Sequence, residues 1–195
     1  MRFTAVAIAL ASAAVSFVAA EPIKAVAYLY APPVSGLVYF SQESHDSPTR
    51  VYANLTGLTG GDHGIHIHEF GDLSQGCNST GAHYNPFNQT HGGPDAEVRH
   101  VGDLGNIVAD NTTGLAILNI TSDLIQLSMA HSVIGRAVVV HSGKDDYGLG
   151  GTPLSNSTGN SGSRVACGVI GSPDTLSQTE AADVKVNKPN FTYCT

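Results

Sequence analysis

The chain has 195 residues, enough for one domain with a substantial core. Nine Lys+Arg stand against sixteen Asp+Glu, a balance that argues against nucleic acid or an anionic membrane surface as partner. Charged side chains are only 13% and Gly number 22, which suits a turn-rich β domain better than a helical bundle.

Residues 1–20 read MRFTAVAIALASAAVSFVAA. Arg2 gives a positive start, an apolar run follows, and Val18-Ala19-Ala20 offers small residues for cleavage. This pattern predicts a secretory signal peptide rather than a spanning helix, so a secreted, extracellular protein is expected. Its removal takes away Arg2 and no acid, leaving eight basic against sixteen acidic side chains, net −8 with His neutral. The domain is then expected over residues 21–172, followed by a polar tail over 173–195 that carries no lipid-anchor signal. No stretch after the leader is long and apolar enough to cross a bilayer.

From Pro22 onward, short apolar runs are cut by Gly, Pro, Asn and Asp. Strands are predicted over Ile23 to Tyr30, Val34 to Phe40, Arg50 to Leu55 and His63 to Phe70. Gly71 to Gly102 breaks this rhythm: it is polar, contains Gly and Pro, and lacks strand periodicity. A loop of that length in a compact domain is usually functional. Further strands are predicted over Asp103 to Ala109, Leu115 to Ile120 and Arg136 to His141. A second long loop, Ser142 to Ser163, precedes a last strand over Arg164 to Ile170. Eight short strands with turn punctuation predict an all-β sandwich or barrel.

Asn54, Asn78, Asn88, Asn111, Asn119, Asn156 and Asn190 each open an Asn-x-Ser/Thr sequon. They fit a glycosylated secreted protein, although several fall in strands or near the long loop, so not all are expected to be used. The cysteines are Cys77, Cys167 and Cys194, of which two can pair in an oxidising compartment.

The chemistry is concentrated in the histidines. In a strand, His66 and His68 point to one face while Ile65 and Ile67 point to the other. Neutral imidazole is a good ligand for copper and zinc. His66, His68, His83 and His141 make an all-nitrogen set suited to copper. His83, His91, His100 and Asp103 make a three-nitrogen, one-oxygen set suited to tetrahedral zinc. His83 belongs to both, and one imidazole can hold two metals if both ring protons are gone, which requires a cation on each side.

The motifs GDHGIHIHEFGD, GCNSTGAHYNPFNQTHGGPDAEVRHVGDLGN, IGRAVVVH and GNSGSRVACGVIG, taken jointly and in order, resemble the copper–zinc superoxide dismutase family. The similarity runs from about Ile23 to Gly171. It implies an eight-stranded Greek-key barrel that dismutates superoxide to dioxygen and hydrogen peroxide, as antioxidant defence. By the same resemblance, copper would be held by His66, His68, His83 and His141, and zinc by His83, His91, His100 and Asp103, with His83 as bridge and proton carrier. Asp145 would link His66 to His91 and orient both rings. Arg164 would lie over the copper and hold the anion. Cys77 and Cys167 would form the disulfide, leaving Cys194 as the odd one. The family commonly dimerises through residues near Gly71, Ile134-Gly135 and Val169 to Gly171, so a homodimer is expected.

One departure stands out. Many members carry a Glu-Glu-…-Lys set in the second long loop, and the matching stretch here is the uncharged Pro153-Leu154-Ser155-Asn156-Ser157. Catalysis is expected to persist while long-range steering of the anion differs. The remaining histidines read as structural: His45 solvated in a polar turn, His63 packed at the barrel end, and His131 on a surface loop. Three other functions are weighed by their signatures. A copper-delivery module would lack a copper histidine or the arginine. A copper-only dismutase would lack His91, His100, Asp103 and the second loop. A glycosylated structural domain would carry only a relic of the site.

Overall fold

The computed structural model describes residues 21–173; the predicted leader, most of the tail, Asn190 and Cys194 lie outside them. Among the described residues nine strands form: β1 (Ile23–Ala31), β2 (Val34–Gln42), β3 (Thr49–Thr56), β4 (Gly61–His68), β5 (Ser74–Cys77), β6 (Asp103–Ala109), β7 (Ala116–Ser122), β8 (Ala137–His141) and β9 (Arg164–Gly171). Eight of them close a barrel in the order β1-β2-β3-β7-β6-β4-β8-β9, and its strand pairs are all antiparallel. The pairings of β3 with β7 and of β4 with β8 join strands distant in sequence, which is the long-connection pattern of a Greek key. Closure leaves no barrel strand with an unpaired edge.

Period-two alternation builds the interior. Ala25, Ala27 and Leu29 of β1, Val38 and Phe40 of β2, and Val51, Ala53 and Leu55 of β3 all turn inward. In β4 and β8 the pattern changes, because both faces are buried. Ile65 and Ile67 face the core, while His66 and His68 lie on the opposite face beneath the two long loops. Register shifts interrupt the ladder between Gly64 and His66 and between Val140 and His141. Irregularities of this kind re-aim side chains beside functional sites.

Three local predictions need correction. β4 ends at His68 rather than Phe70, because Glu69 and Phe70 donate their N–H groups to Ala82 O and Thr80 O across the loop instead of continuing a barrel ladder. The 71–102 segment is not without regular structure: it contains β5 and a 3₁₀ turn over Asn78–Thr80. The second loop contains a single helical turn, α1 (Ser155–Thr158). These pieces are only three or four residues long and are held by short-range hydrogen bonds such as Thr158 N–H to Leu154 O, too short for strand or helix periodicity to show.

A disulfide joins Cys77 at the end of β5 to Cys167 in β9, ninety positions further on, with Cα atoms 5.7 Å apart. The chain-entropy account puts a closure of this length at roughly 4–5 kcal/mol. It ties the first long loop to the barrel wall that carries the histidines.

Candidate metal centre

β4 presents His66 and His68, and β8 ends on His141. The first loop brings His83 alongside through an isolated bridge pairing with His68. One ligand atom each from His66, His68, His83 and His141 lies within 4.8 Å of the others, and all four residues are buried. The His66 and His83 rings sit 3.9 Å apart centre to centre. A second group, His66, His83, His91 and Asp103, is equally tight. His100 reaches it through Nδ1, 3.2 Å from Asp103 Oδ1.

The ring nitrogen turned inward is selected by what holds the other one. His66 Nε2 faces Asp145 Oδ2 at 2.8 Å, His68 Nδ1 faces Gly81 O at 3.0 Å, and His141 Nδ1 faces Gly162 O at 3.2 Å. This leaves His66 Nδ1, His68 Nε2 and His141 Nε2 to converge, the last two 3.3 Å apart. On the other side His91 Nε2 is held by Asp145 Oδ1 at 2.7 Å. Asp103 Oδ1 then lies 3.0 Å from His83 Nδ1 and 3.0 Å from His91 Nδ1. The His91 approach has ion-pair distance without hydrogen-bond alignment, since His91 Nδ1 is buried with no hydrogen-bond partner. His66 Nδ1 and His83 Nε2 share that condition. Buried polar atoms are rarely left unsatisfied. Three orphaned imidazole nitrogens aimed into two clusters are donors fitted to cations, one set all nitrogen and the other mixing nitrogen with a carboxylate.

The electrostatics keep these rings able to bind. Burial holds the His66 ring well below the ordinary histidine value, and nearby His83 and His141 add to the effect. Burial, then His83, pushes His68 down to about 2. Burial takes His141 to about 4 and also lowers His83 against the pull of Asp103. All four are therefore neutral near pH 7, with lone pairs available. His91 differs: burial opposes its charge, but Asp103 and Asp145 outweigh burial and raise it to about 9. Burial would raise Asp103, yet its contacts with His100, His83 and His91 hold it far below the usual carboxylate range.

Asp145 is wholly buried and spans His66 and His91 with its two oxygens. Arg164 stands at the start of β9, the strand that pairs with β1 to close the barrel. Its Nη1 donates to Cys77 O at 2.7 Å and Thr80 Oγ1 at 3.0 Å, and its Nη2 to Gly81 O at 2.6 Å. The disulfide-anchored loop thus grips the guanidinium, and partial burial lowers its pKa. His63 is buried, with Nδ1 2.8 Å from His141 O, so it braces the end of β8. His45 and His131 are exposed. Of the sequon asparagines, Asn78, Asn88, Asn111, Asn119 and Asn156 are exposed and Asn54 is half-buried.

Two supporting residues escaped the sequence reading. Asn106 donates from Nδ2 to Asp145 O at 2.9 Å and accepts the Asp145 N–H at 2.7 Å, fixing that residue's backbone. Gly159 lies so close that a Cβ there would strike Asp145 Oδ1 and His91 Nε2. Asn106 lies inside the GDLGN motif, which could have flagged it; nothing in the local sequence marks Gly159.

Comparison with known proteins agrees with this geometry. Residues 34–170 match the family model described as copper/zinc superoxide dismutase (SODC). The chain is 51% identical over 148 residues to superoxide dismutase [Cu-Zn] 4 of Dictyostelium discoideum, covering 76% of this chain and 97% of that protein. It is 50% identical over 137 residues to a putative superoxide dismutase [Cu-Zn] of Autographa californica nuclear polyhedrosis virus, covering 70% of this chain and 91% of the relative. The chain therefore belongs to the copper/zinc superoxide dismutase family, oxidoreductases whose cofactors are copper and zinc.

Proposed function

We propose that this protein dismutates superoxide outside the cell, with copper held by His66, His68, His83 and His141 and zinc held by His83, His91, His100 and Asp103. The observation that carries this reading is the placement of His83. Its Nδ1 faces Asp103 on one side, while its orphaned Nε2 belongs to the other histidine cluster. Bound copper supplies one-electron redox chemistry, and bound zinc supplies a fixed cation without redox.

The chain's own residues do the rest. His83 holds a proton at Nε2 when that nitrogen is free and passes it to the reduced dioxygen species on its way to hydrogen peroxide. Arg164 offers a cation whose Nη donors are already bound to the loop, so its position is set before an anion arrives. Asp145 and Asp103 orient the rings. The uncharged 153–157 stretch leaves steering to Arg164 and Lys144, so the rate should fall only gently as salt is raised.

Entry into the secretory pathway is supported by the composition of residues 1–20, by the sequons and by the Cys77–Cys167 disulfide. The protein is read as a glycosylated homodimer, with Gly71, Gly135 and the half-exposed Val169 grouped on one surface. Among the described residues no helix is long and apolar enough to cross a membrane.

Metal analysis of the purified protein, a superoxide-consumption assay and light scattering test this reading. Both metals and rapid consumption are expected, together with loss of activity in His83→Ala. Unchanged turnover in that variant, or metal content without superoxide consumption, would refute it.

A further inference from the structure

The strands β1, β2, β3, β7 and β6 form the part of the barrel that carries no histidine of the cluster. Their outer face carries one largely apolar row, bordered on one side by Arg50, Asn119 and Thr121. Register places Tyr28 beside Leu37, Leu37 beside Asn54, Asn54 beside Ile117 and Ile117 beside Val108. Their strand neighbours Leu29, Val38, Leu55, Leu118 and Ala109 lie in the core, so alternation turns this row outward. Ile117 is 50% exposed and Val108 is 59% exposed. Tyr52 flanks the row two residues before Asn54 on β3. Apolar side chains grouped and exposed in a row of this kind favour a cover that shields them from water.

The middle of that row is a sequon. Asn54-Leu55-Thr56 places the asparagine and the threonine on the outer face with the leucine inside. We propose that Asn54 carries an N-linked oligosaccharide whose first sugars lie across this row and shield Leu37, Ile117 and Tyr52 from water. Directly opposed side chains on neighbouring strands stand about 5 Å apart at Cβ, so the first hexosamine on Asn54 reaches Leu37 on one side and Ile117 on the other. The C–H face of a pyranose is apolar and its hydroxyl edge is not, so a sugar laid flat covers apolar side chains while remaining wet outside. A branched polar chain rooted at the centre also keeps a second protein from docking flat on this face.

The attachment balances simply. Asn54 Nδ2 bonds to C1 of the first hexosamine of a lipid-diphosphate-linked oligosaccharide, the C1–O bond to the diphosphate breaks, and the amide proton leaves with the lipid diphosphate. The proposal rests on the secretory reading above. Asn111, in the turn after β6, and Asn156, on α1, lie off this face and serve as internal controls.

The test is the full-length protein made in a secreting eukaryotic host, with site occupancy read by glycopeptide mass spectrometry. Asn54→Gln and Thr56→Ala remove the acceptor in different ways, and Thr56→Ser retains it. Expected are occupancy at Asn54, a several-fold rise in binding of an apolar fluorescent dye or new self-association in both acceptor-less variants, and wild-type behaviour in Thr56→Ser. An empty Asn54 beside an occupied Asn111 or Asn156 overturns the proposal and leaves secretion standing. Retention of the chain inside the cell with every sequon empty overturns secretion and the proposal with it. Occupancy at Asn54 with unchanged dye binding and association in both variants overturns the shielding.

Discussion

The guanidinium carbon of Arg136 lies 3.5 Å from the centroid of the Tyr84 ring. The same side chain donates from Nη1 to Glu69 O at 2.7 Å and from Nε to Ser132 O at 3.1 Å. Glu69 follows His68 and Tyr84 follows His83. One arginine at the approach to β8 thereby clamps the residues just past two histidines of the cluster. The backbone reinforces the clamp: Tyr84 donates its N–H to Ile67 O, and Gly102 donates its N–H to Tyr84 O.

Replacing Arg136 with Met keeps much of the stem and removes the cation–π contact and both charge-assisted hydrogen bonds. A loss of roughly 1–3 kcal/mol is expected. For a domain of this size that lowers the thermal midpoint by about 2–4 °C per kcal/mol, which scanning calorimetry reads directly. Arg136→Lys should recover only part of the loss, because an ammonium lacks the planar fork. A midpoint within about one degree of wild type would show that the clamp contributes nothing.

Gly159 sits at φ 60° where α1 ends, against Asp145 and His91. An alanine there meets both a strained backbone and two buried polar atoms that cannot retreat without releasing a ring. Gly159→Ala should weaken zinc retention more than copper retention, since His91 belongs to the Asp103 group and not to the His141 group. Elemental analysis after dialysis against a graded chelator distinguishes the two, and equal loss of both metals would contradict it.

Asp145 touches no proposed metal position itself; it holds one ring from each cluster. Removing such an orienting carboxylate typically weakens metal binding about 10–100-fold. Asp145→Ala should therefore lower affinity on both sides, through His66 and through His91. Competition titrations with a chromophoric chelator measure this, and wild-type affinity in the variant would mean that packing alone orients the rings.

The metal-free protein should lose stability in acid over a defined window. His68 and His141 have folded pKa values of about 2 and about 4, below the ordinary 6.5. Between about pH 6.5 and 4 the unfolded chain takes up protons that the folded chain refuses, so stability falls as pH falls. Each such ring contributes up to about 1.4 kcal/mol per pH unit. His91 has the opposite sign: raised to about 9, its contribution is complete below 6.5 and disappears as pH rises toward 9. Urea midpoints of the chelated protein should therefore peak near neutral pH, and a flat profile from 6.5 to 4.5 would rule this out.

Much of the barrel can be read along the chain because β alternation is local. Ile65 and Ile67 against His66 and His68, or Ala137 through Val140 as an unbroken apolar run, declare their strands with no knowledge of neighbours. Boundaries are less local. β4 stops at His68 only because Ala82 and Thr80, more than ten residues on, supply carbonyls to the next two N–H groups. The clamp at Arg136 arises in the same way, from a bond to Glu69 O and a contact with Tyr84.

The types and order of the candidate ligands are a property of the chain: six histidines and an aspartate, with imidazoles before, within and after a long polar loop. Which nitrogen of each ring points inward is not. Gly81 O, Gly162 O and the two oxygens of Asp145 make that choice from segments 13 to 79 residues away, and they do so only once the barrel has closed and the loops have folded over β4 and β8. A ring's tautomer is set by its second hydrogen bond, and that bond is a tertiary contact.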